Sequence, residues 1–491
     1  MRRKASSRYL LAAVVALSLA ASSACNQARN PTSAGASSEG GKIPITTKSE
    51  EARNEFLQGR ALAEKLLAQD SLAHFDRAIA LDPEFAAAEF ARCNASPTAK
   101  EFFEHQQKAV SLADKASEGE KLLILANQAG ANGDAAKQKE YLEKLVTEYP
   151  SDERAHFNLG GYYFGQQEFA QAIEHYRRAT EIAPNYSPAY NILGYSYRQQ
   201  GDYANAEQAF EKYIELIPND PNPYDSYAEL LLKMGKFDES IAQYRKALSV
   251  DSHFVASHFG ISADLTYMGK PQDANAELQK IIDQARSDGD TRLALFGMAV
   301  VAADSGKFDQ AVQEMDKEYA VAEKKDDAGA MAADLQAKGN ILLEARKYAD
   351  SQKAFDRSLQ LTEGSGLSPE IKENARRLHH FNLTMIAVGK KDYTTAKAEA
   401  EEFRKGAEAS KNPAQVKLAE RNYGSAIAEL EHANLQNPRN LYRLYEAYQG
   451  KGDSAKAQEY RSQAASFNPL PQLNYAFIRA KAQKTGGNKK G

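Results

Sequence analysis

The sequence predicts an all-α protein in which antiparallel helix pairs stack side by side as a solenoid. The composition favours helix, with many Ala, Glu, Lys and Gln residues and only 16 Pro in 491 residues. Pro150, Pro184 and Pro218 recur every 34 residues, and Ser252 takes the next place. A chain of this length is too long for one ordinary core, so an elongated array of repeats explains it well.

Each 34-residue repeat reads as two helices, and the one that begins at Ser187 shows this clearly. Its first apolar stripe consists of Tyr190, Leu193, Gly194 and Tyr197, and its second of Ala206, Phe210 and Tyr213. Both stripes follow helical spacing, with a break at Gly201-Asp202 and an end at Pro218. Each pair leaves an apolar flank that only the next pair can bury, so the repeats must stack.

One position of the first helix carries glycine in several repeats, at Gly59, Gly160, Gly194 and Gly339. Glycine within a helix costs about 1 kcal/mol relative to alanine. A close approach of the second helix would offset that cost, and the second helix carries small residues at its matching position. The pattern therefore predicts tight packing of the two helices within a repeat.

Three consecutive segments in phase, ERAHFNLGGYYFGQQEFAQAIEHYRRATEIAP from 153 and its counterparts from 187 and 221, resemble the tetratricopeptide repeat (TPR). The resemblance implies a right-handed TPR superhelix. The same frame begins near residues 52, 84, 119, 255, 292, 332, 377, 407 and 438. The predicted organisation is a signal peptide (1–24), a flexible tether (25–49), an N-terminal TPR array (50–286), further TPR repeats (287–362), less regular C-terminal repeats (363–470), and a capping helix with a polar tail (471–491). Near 407 the first helix is expected to be cut short, since Pro413 interrupts it.

The N-terminus has the features of a secretory signal: a basic start, the apolar run YLLAAVVALSLAA and small residues before Cys25. This order resembles the lipobox of bacterial lipoproteins, which implies lipidation of Cys25. Ser22 stands where that family usually has Leu, and ordinary cleavage after Ala24 is the alternative. The expected location is the periplasm or the outer membrane, with secretion as a soluble protein the alternative.

Composition and motifs predict a protein without catalytic activity, cofactor or metal. The chain has 62 basic and 66 acidic residues, a formal net charge of −4, and this balance does not indicate nucleic-acid binding. Two cysteines exclude a disulfide scaffold, and no HExxH, GxxxxGK[ST], GxGxxG or GxSxG motif occurs. The alternatives are an envelope enzyme on a helical solenoid and a structural subunit of an envelope assembly complex.

The resemblance implies that first helices line a groove that binds a protein or peptide partner. The groove-facing residues it indicates are Leu123, Asn127, Phe157, Phe164, Asn191, Tyr195, Arg198, Asp225, Glu229, Lys233, Phe259 and Tyr267. Aromatic and hydrogen-bonding groups together suit protein recognition. Phe157 and Tyr195 could instead pack between repeats, and this alternative stays open at the level of sequence. The predicted function is a non-catalytic scaffold that is exported and tethered to the membrane by its lipidated N-terminus.

Overall fold

A computed structural model describes residues 41–65, 67–367, 369–405, 427–428, 430–431, 437–468, 478 and 481–482. The predicted signal peptide, Cys25 and the part of the predicted tether before residue 41 lie outside these residues. So do Pro413, where a shortened helix was expected, and most of the predicted capping helix and tail.

Among the described residues every regular element is helical. The helices up to residue 234 are α1 (Glu50–Glu64), α2 (Ala68–Leu81), α3 (Ala86–Asn94), α4 (Ala99–Leu112), α5 (Glu118–Ala131), α6 (Ala135–Glu148), α7 (Glu153–Gly165), α8 (Phe169–Ile182), α9 (Ser187–Gln200), α10 (Tyr203–Leu216) and α11 (Pro221–Met234), with a 3₁₀ helix at Ala113–Lys115. The later helices are α12 (Phe237–Val250), α13 (Val255–Tyr267), α14 (Pro271–Asp283), α15 (Asp288–Asp304), α16 (Phe308–Glu323), α17 (Ala328–Glu344), α18 (Tyr348–Gly364), α19 (Pro369–Lys390), α20 (Tyr393–Lys405), α21 (Pro438–Lys451) and α22 (Ser454–Ala465).

The helices form two compact units, and the boundary between them falls within α11, between Leu230 and Leu231. We call them the N-terminal unit and the C-terminal unit. In each unit the helices of a pair pack against each other, and most second helices also pack against the first helix of the next pair. The predicted all-α solenoid of stacked helix pairs is confirmed.

The repeat formed by α9 and α10 shows how the sequence sets the helix ends. Gly201 ends α9 with φ of 81°, a left-handed conformation that glycine adopts without strain. The next residue, Asp202, caps α10 because its side chain accepts a hydrogen bond from the Asn205 N–H. The predicted break at these two residues is therefore a glycine stop followed by an aspartate cap.

Two later first helices are longer than the repeat frame predicts. Helices α15 and α17 have 17 residues each and begin four residues before the frame positions 292 and 332. Ser287 caps α15 in a capping box with Asp290, and Asp327 caps α17. These local caps, which apolar periodicity does not detect, add a turn to each helix.

The last part of the predicted tether, residues 41–49, packs on the N-terminal unit. Ile43 is buried beside Gly119, and its N–H donates to Asp152 Oδ2 at 2.8 Å. The N–H of Thr46 donates to Glu120 at 3.0 Å, and Thr47 and Lys48 both donate to Asp82. The carboxylates of three successive repeats thus bind this segment, which a Ser- and Gly-rich composition did not predict.

Candidate partner-binding face

The predicted groove residues of α9 bond directly to α11 in the N-terminal unit. Tyr195 Oη donates to Ser226 Oγ at 3.2 Å, and Arg198 Nη1 donates to Glu229 Oε2 at 2.9 Å. Asn191 Nδ2 lies 3.5 Å from Asn222 Oδ1, at the limit of a hydrogen bond. Each contact joins residues 31 apart, so three parallel contacts link neighbouring first helices along this face.

Aromatic packing orients the centre of this face. The guanidinium of Arg198 lies 4.6 Å from the centroid of the Tyr195 ring, a cation–π contact. The same ring meets Phe210 edge to face at 5.2 Å. Because Tyr195 and Arg198 are held from two sides, they form a preorganised surface with one ring face and one charge pair.

The structure places the other predicted groove residues of this unit mainly in packing contacts. Phe157 is buried against Tyr176 and Tyr186, with centroids 5.5 and 5.6 Å away. Phe164 packs on Phe169, Leu123 packs against the core cluster around it, Asn127 bonds to Gln106 and Asn94, and Asp225 is buried. For Phe157 the geometry matches the alternative in which this residue packs between repeats.

In the C-terminal unit the predicted groove residues contact other parts of the chain. Phe259 is buried in a cluster with Leu278, and Tyr267 packs 6.1 Å from Phe237. The Lys233 ammonium lies 3.8 Å from the centroid of the Phe467 ring. Phe467 follows α22, so the chain's own C-terminal residues cover this groove position.

Further C-terminal residues contact equivalent positions of α15 and α17. Glu344 and Lys233 occupy the same position in their respective repeats. Glu344 forms ion pairs with Arg439, at 3.7 Å, and with Lys481. Val300 of α15 and Ile341 of α17 share an apolar cluster with Leu441, Ala464, Ile478 and Ala482. The groove positions of Lys233, Val300 and Glu344 are therefore covered by the C-terminal residues.

The Glu344 pairs should hold the C-terminal residues in place. We expect Glu344→Lys to speed chymotrypsin cleavage near Phe467 about tenfold. The new lysine would lie beside Arg439 and Lys481 in a nearly buried site, where three positive charges repel one another. Glu323→Lys, at an exposed site on α16, is the matched control and should cleave like the parent protein. Equal protection in both variants would show that apolar packing alone holds these residues.

Several repeats pair the fourth residue of the repeat frame, which lies on the first helix, with a residue 19 positions later in the second helix. The pairs that include a histidine and a glutamate are Glu55–His74, His258–Glu277 and His380–Glu399. In the repeat of α7 and α8 both partners are histidines, and His156 Nδ1 lies 3.2 Å from His175 Nδ1. Burial lowers the pKa of both His156 and His175 below the usual value of 6.5.

This histidine pair should make the N-terminal unit sensitive to acid. A histidine whose pKa is lowered on folding takes up a proton more readily when unfolded, so stability falls as pH drops below about 6.5. We expect the urea midpoint to fall between about pH 7.5 and 5.5, and His175→Gln to reduce this fall. His253→Gln, which changes an exposed histidine, should leave the pH dependence unchanged. An identical acid response in His175→Gln would exclude the pair as its source.

The described residues contain no group of three or more His, Cys, Asp or Glu side chains that could hold a metal ion. Cys93 is buried, and burial raises the pKa of its thiol to about 12, which suits a packing residue. Within the same part of the chain no helix is both long enough and apolar enough to cross a membrane.

Sequence reasoning missed one polar cluster of the N-terminal unit. It consists of Arg60 and Glu64 of α1, Arg154 of α7 and Tyr186, which directly precedes α9. In the repeat frame Arg60 occupies the same groove position as Tyr195, so the sequence could have identified Arg60 as a groove residue. Nothing local indicates that α1 comes near the start of α9.

Comparison with family models decides which repeat this is. Two tetratricopeptide repeat models match residues 151–219 and 222–254, the segments that hold α7 to α12. This is a tetratricopeptide repeat protein. The match lies on the three segments in which the 34-residue spacing is most regular, and the repeats on either side follow the same helix-pair pattern.

Solved structures similar to this TPR protein include other TPR proteins. MamA shares 26% identity over 31% of this chain and 92% of its own, with a TM-score of 0.28. A TPR protein from Parabacteroides merdae shares 16% over 53% and 98%, with a TM-score of 0.38. YrrB, described as having an unusual peptide-binding site, shares 18% over 37% and 91%, with a TM-score of 0.27. A search of curated proteins found no match.

Proposed function

We propose that this protein is a non-catalytic TPR scaffold that binds a protein or peptide partner through the N-terminal unit. The observation that carries the proposal is the preorganised face formed by α9 and α11, where Tyr195 and Arg198 are fixed by their neighbours. Such a face presents a ring and a charge pair without further ordering on binding, which lowers the entropic cost of association.

We place the partner-binding face in the N-terminal unit because equivalent groove positions have different surroundings in the two units. In the C-terminal unit, Lys233 and Glu344 contact the chain's own Phe467, Arg439 and Lys481. In the N-terminal unit, the Arg198–Glu229 pair closes between adjacent first helices and leaves both side chains partly exposed, at 18% and 16%. Among the described residues, no other segment has to be displaced for a partner to reach this pair.

Site-specific photo-crosslinking in the native cell tests the proposal. A photoreactive residue at Gly161 would lie exposed at a groove position of α7, where the nearest side-chain atom to an added Cβ is Tyr176 Oη at 3.7 Å. Arg177, exposed on the second helix α8, provides the matched control position. We expect one defined adduct from position 161 and none from 177. Adducts of equal yield from both positions would contradict binding at the predicted groove.

We further propose that the protein is exported and attached to the cell envelope through a lipid on Cys25. The basic start, apolar run and small residues before Cys25 support it. Since residues 41–49 pack on the N-terminal unit, the 15 residues between Cys25 and Gly41 limit the distance of this unit from the membrane to about 55 Å.

Mass spectrometry of the N-terminal peptide tests the anchor directly. We expect a lipid-sized mass increase on Cys25, and Cys25→Ser should move the protein from the membrane fraction to the soluble fraction. Cys93→Ser, which changes the other cysteine, should leave fractionation unchanged because Cys93 is buried within a repeat. An unmodified Cys25 in the native protein would refute the anchor.

A further inference from the structure

The histidine pair of α7 and α8 places two imidazole nitrogens against each other. His156 Nδ1 and His175 Nδ1 lie 3.2 Å apart. At the same two positions of two later repeats, His258 and His380 each face a glutamate oxygen instead, at 2.6 and 2.8 Å. A carboxylate accepts the imidazole proton, whereas two neutral imidazoles hold at most one proton between their facing nitrogens. At least one of the two facing nitrogens of the histidine pair therefore presents a lone pair.

The backbone fixes which nitrogen of His156 carries this lone pair. His156 Nε2 lies 3.2 Å from the carbonyl oxygen of Pro150. Because a carbonyl oxygen can only accept a hydrogen bond, we assign the ring proton of neutral His156 to Nε2 and the lone pair to Nδ1. A bond from the other ring nitrogen to a backbone carbonyl is a usual way to orient a metal-binding histidine.

His175 can direct a second lone pair toward the same place. Its ring stacks on Tyr163, with the centroids 5.5 Å apart and the planes 10° from parallel, and the side chain is partly exposed. At pH 7.5 an ordinary histidine is mostly neutral. When the proton of neutral His175 moves from Nδ1 to Nε2, both facing nitrogens have lone pairs and the charge of the pair does not change.

The distance between the two nitrogens fits one shared metal ion. Two imidazole nitrogens on a tetrahedral metal, each about 2.0–2.1 Å from it, lie about 3.3–3.4 Å from each other. The ring centroids of His156 and His175 are 5.5 Å apart, which places both nitrogens near the line between the rings, as in an N–H···N hydrogen bond. Metal binding therefore requires the rings to tilt, with little change in the distance between the nitrogens.

We propose that His156 and His175 form a binding site for a divalent transition metal ion such as Zn²⁺. Imidazole nitrogen suits Zn²⁺, Cu²⁺ and Ni²⁺, whereas Mg²⁺ and Ca²⁺ prefer oxygen ligands. Among the described residues no third His, Cys, Asp or Glu joins the pair in a metal-binding group, so water completes the coordination. The two ligands are 19 residues apart on different helices, and no short sequence motif marks them.

Calorimetric titration of the full chain with ZnCl₂ at pH 7.5 tests the site, on protein purified without a histidine tag. We expect His175→Gln and His156→Gln each to weaken Zn²⁺ binding at least tenfold, because only one imidazole remains. His253→Gln, at an exposed histidine, should bind Zn²⁺ like the parent protein, and MgCl₂ should give no binding. Unchanged Zn²⁺ affinity in His175→Gln would overturn the proposal. If buried His156 cannot be replaced without unfolding, His175→Gln gives the decisive comparison.

The repeat of α13 and α14 allows the opposite test, the construction of a second site. His258 Nδ1 lies 2.6 Å from Glu277 Oε1, and His258 Nε2 lies 3.3 Å from the carbonyl oxygen of Ser252, which has the frame position of Pro150. Glu277→His would therefore reproduce the histidine pair with the same backbone contact. We expect one additional Zn²⁺ per chain in Glu277→His and none in Glu277→Gln. A folded Glu277→His variant that binds no additional Zn²⁺ would contradict the assigned geometry.

Zn²⁺ should also stabilise the folded N-terminal unit, because a ligand that binds only the folded state shifts the unfolding equilibrium. We expect the urea midpoint of the parent protein to be higher with Zn²⁺ than with EDTA, and this difference to disappear in His175→Gln. An equal shift in both proteins would place the bound Zn²⁺ elsewhere and refute the site. The result is independent of the scaffold proposal, which the crosslink from position 161 tests without added metal.

Discussion

Replacing Arg292 by Leu should lower the free energy of unfolding of the C-terminal unit by about 3–5 kcal/mol. Arg292 of α15 donates two hydrogen bonds to Asp334 of α17, at 2.7 and 2.8 Å, and lies 3.3 Å from Glu318 of α16. Asp334 and Glu318 are only 4% and 6% exposed. Without the guanidinium, two acidic groups would remain buried side by side. Urea unfolding followed by far-UV circular dichroism measures the loss.

Acid should reveal the cause of this loss. Burial beside Asp334 raises the pKa of Glu318 to about 8, and loss of the Arg292 charge would raise the pKa of Glu318 further. The Arg292→Leu variant should therefore regain part of its lost stability between about pH 7.5 and 5.5. Arg286→Leu, at an exposed arginine before α15, should change stability by less than about 0.5 kcal/mol. An equal loss in Arg292→Leu at both pH values would point to lost packing instead.

The repeat architecture could be predicted from sequence because its determinants are local. The first-helix stripe around Leu193, the Gly201-Asp202 break and Pro218 all act within one helix pair. The structure ends one helix at the break and the next just before Pro218. The close helix approach at the glycine position could also be predicted. In the structure a Cβ at Gly194 would lie 2.7 Å from the Phe210 ring, and one at Gly59 would lie 2.8 Å from Phe75. Close helix packing is the physical reason for glycine at this position.

The candidate site was harder to predict because its contacts join distant segments. The α9 residues were identified from the repeat frame, but their partners on α11 follow from how one repeat rotates onto the next. Lys233 was taken as a groove residue, and its contact with Phe467 depends on chain packing 234 residues away. Arg60 and Tyr186 are 126 positions apart, and no local pattern indicates that they belong to the same polar cluster.

Replacing Phe210 by Ala should lower the free energy of unfolding of the N-terminal unit by about 3–5 kcal/mol. The Phe210 side chain is fully buried, contacts Gly194 and supports the Tyr195 ring at 5.2 Å. Its removal leaves a cavity at the junction of the two helices of one repeat. Urea unfolding measures the loss, and Phe103→Ala, at a ring that is 53% exposed, is the matched control with an expected effect below about 1 kcal/mol.

The effect of Gly194→Ala on the free energy of unfolding should then change sign with the residue at position 210. With Phe210 present, the new methyl group would lie 2.7–2.9 Å from ring carbons, and we expect a loss of about 1–3 kcal/mol. In the Phe210→Ala background the ring is gone, and the better helix propensity of alanine should add up to about 1 kcal/mol. A double-mutant cycle measures this coupling. Gly161→Ala, one residue after the corresponding Gly160 and free of close contacts, should stabilise in either background, which separates ring contact from backbone propensity as the reason for glycine.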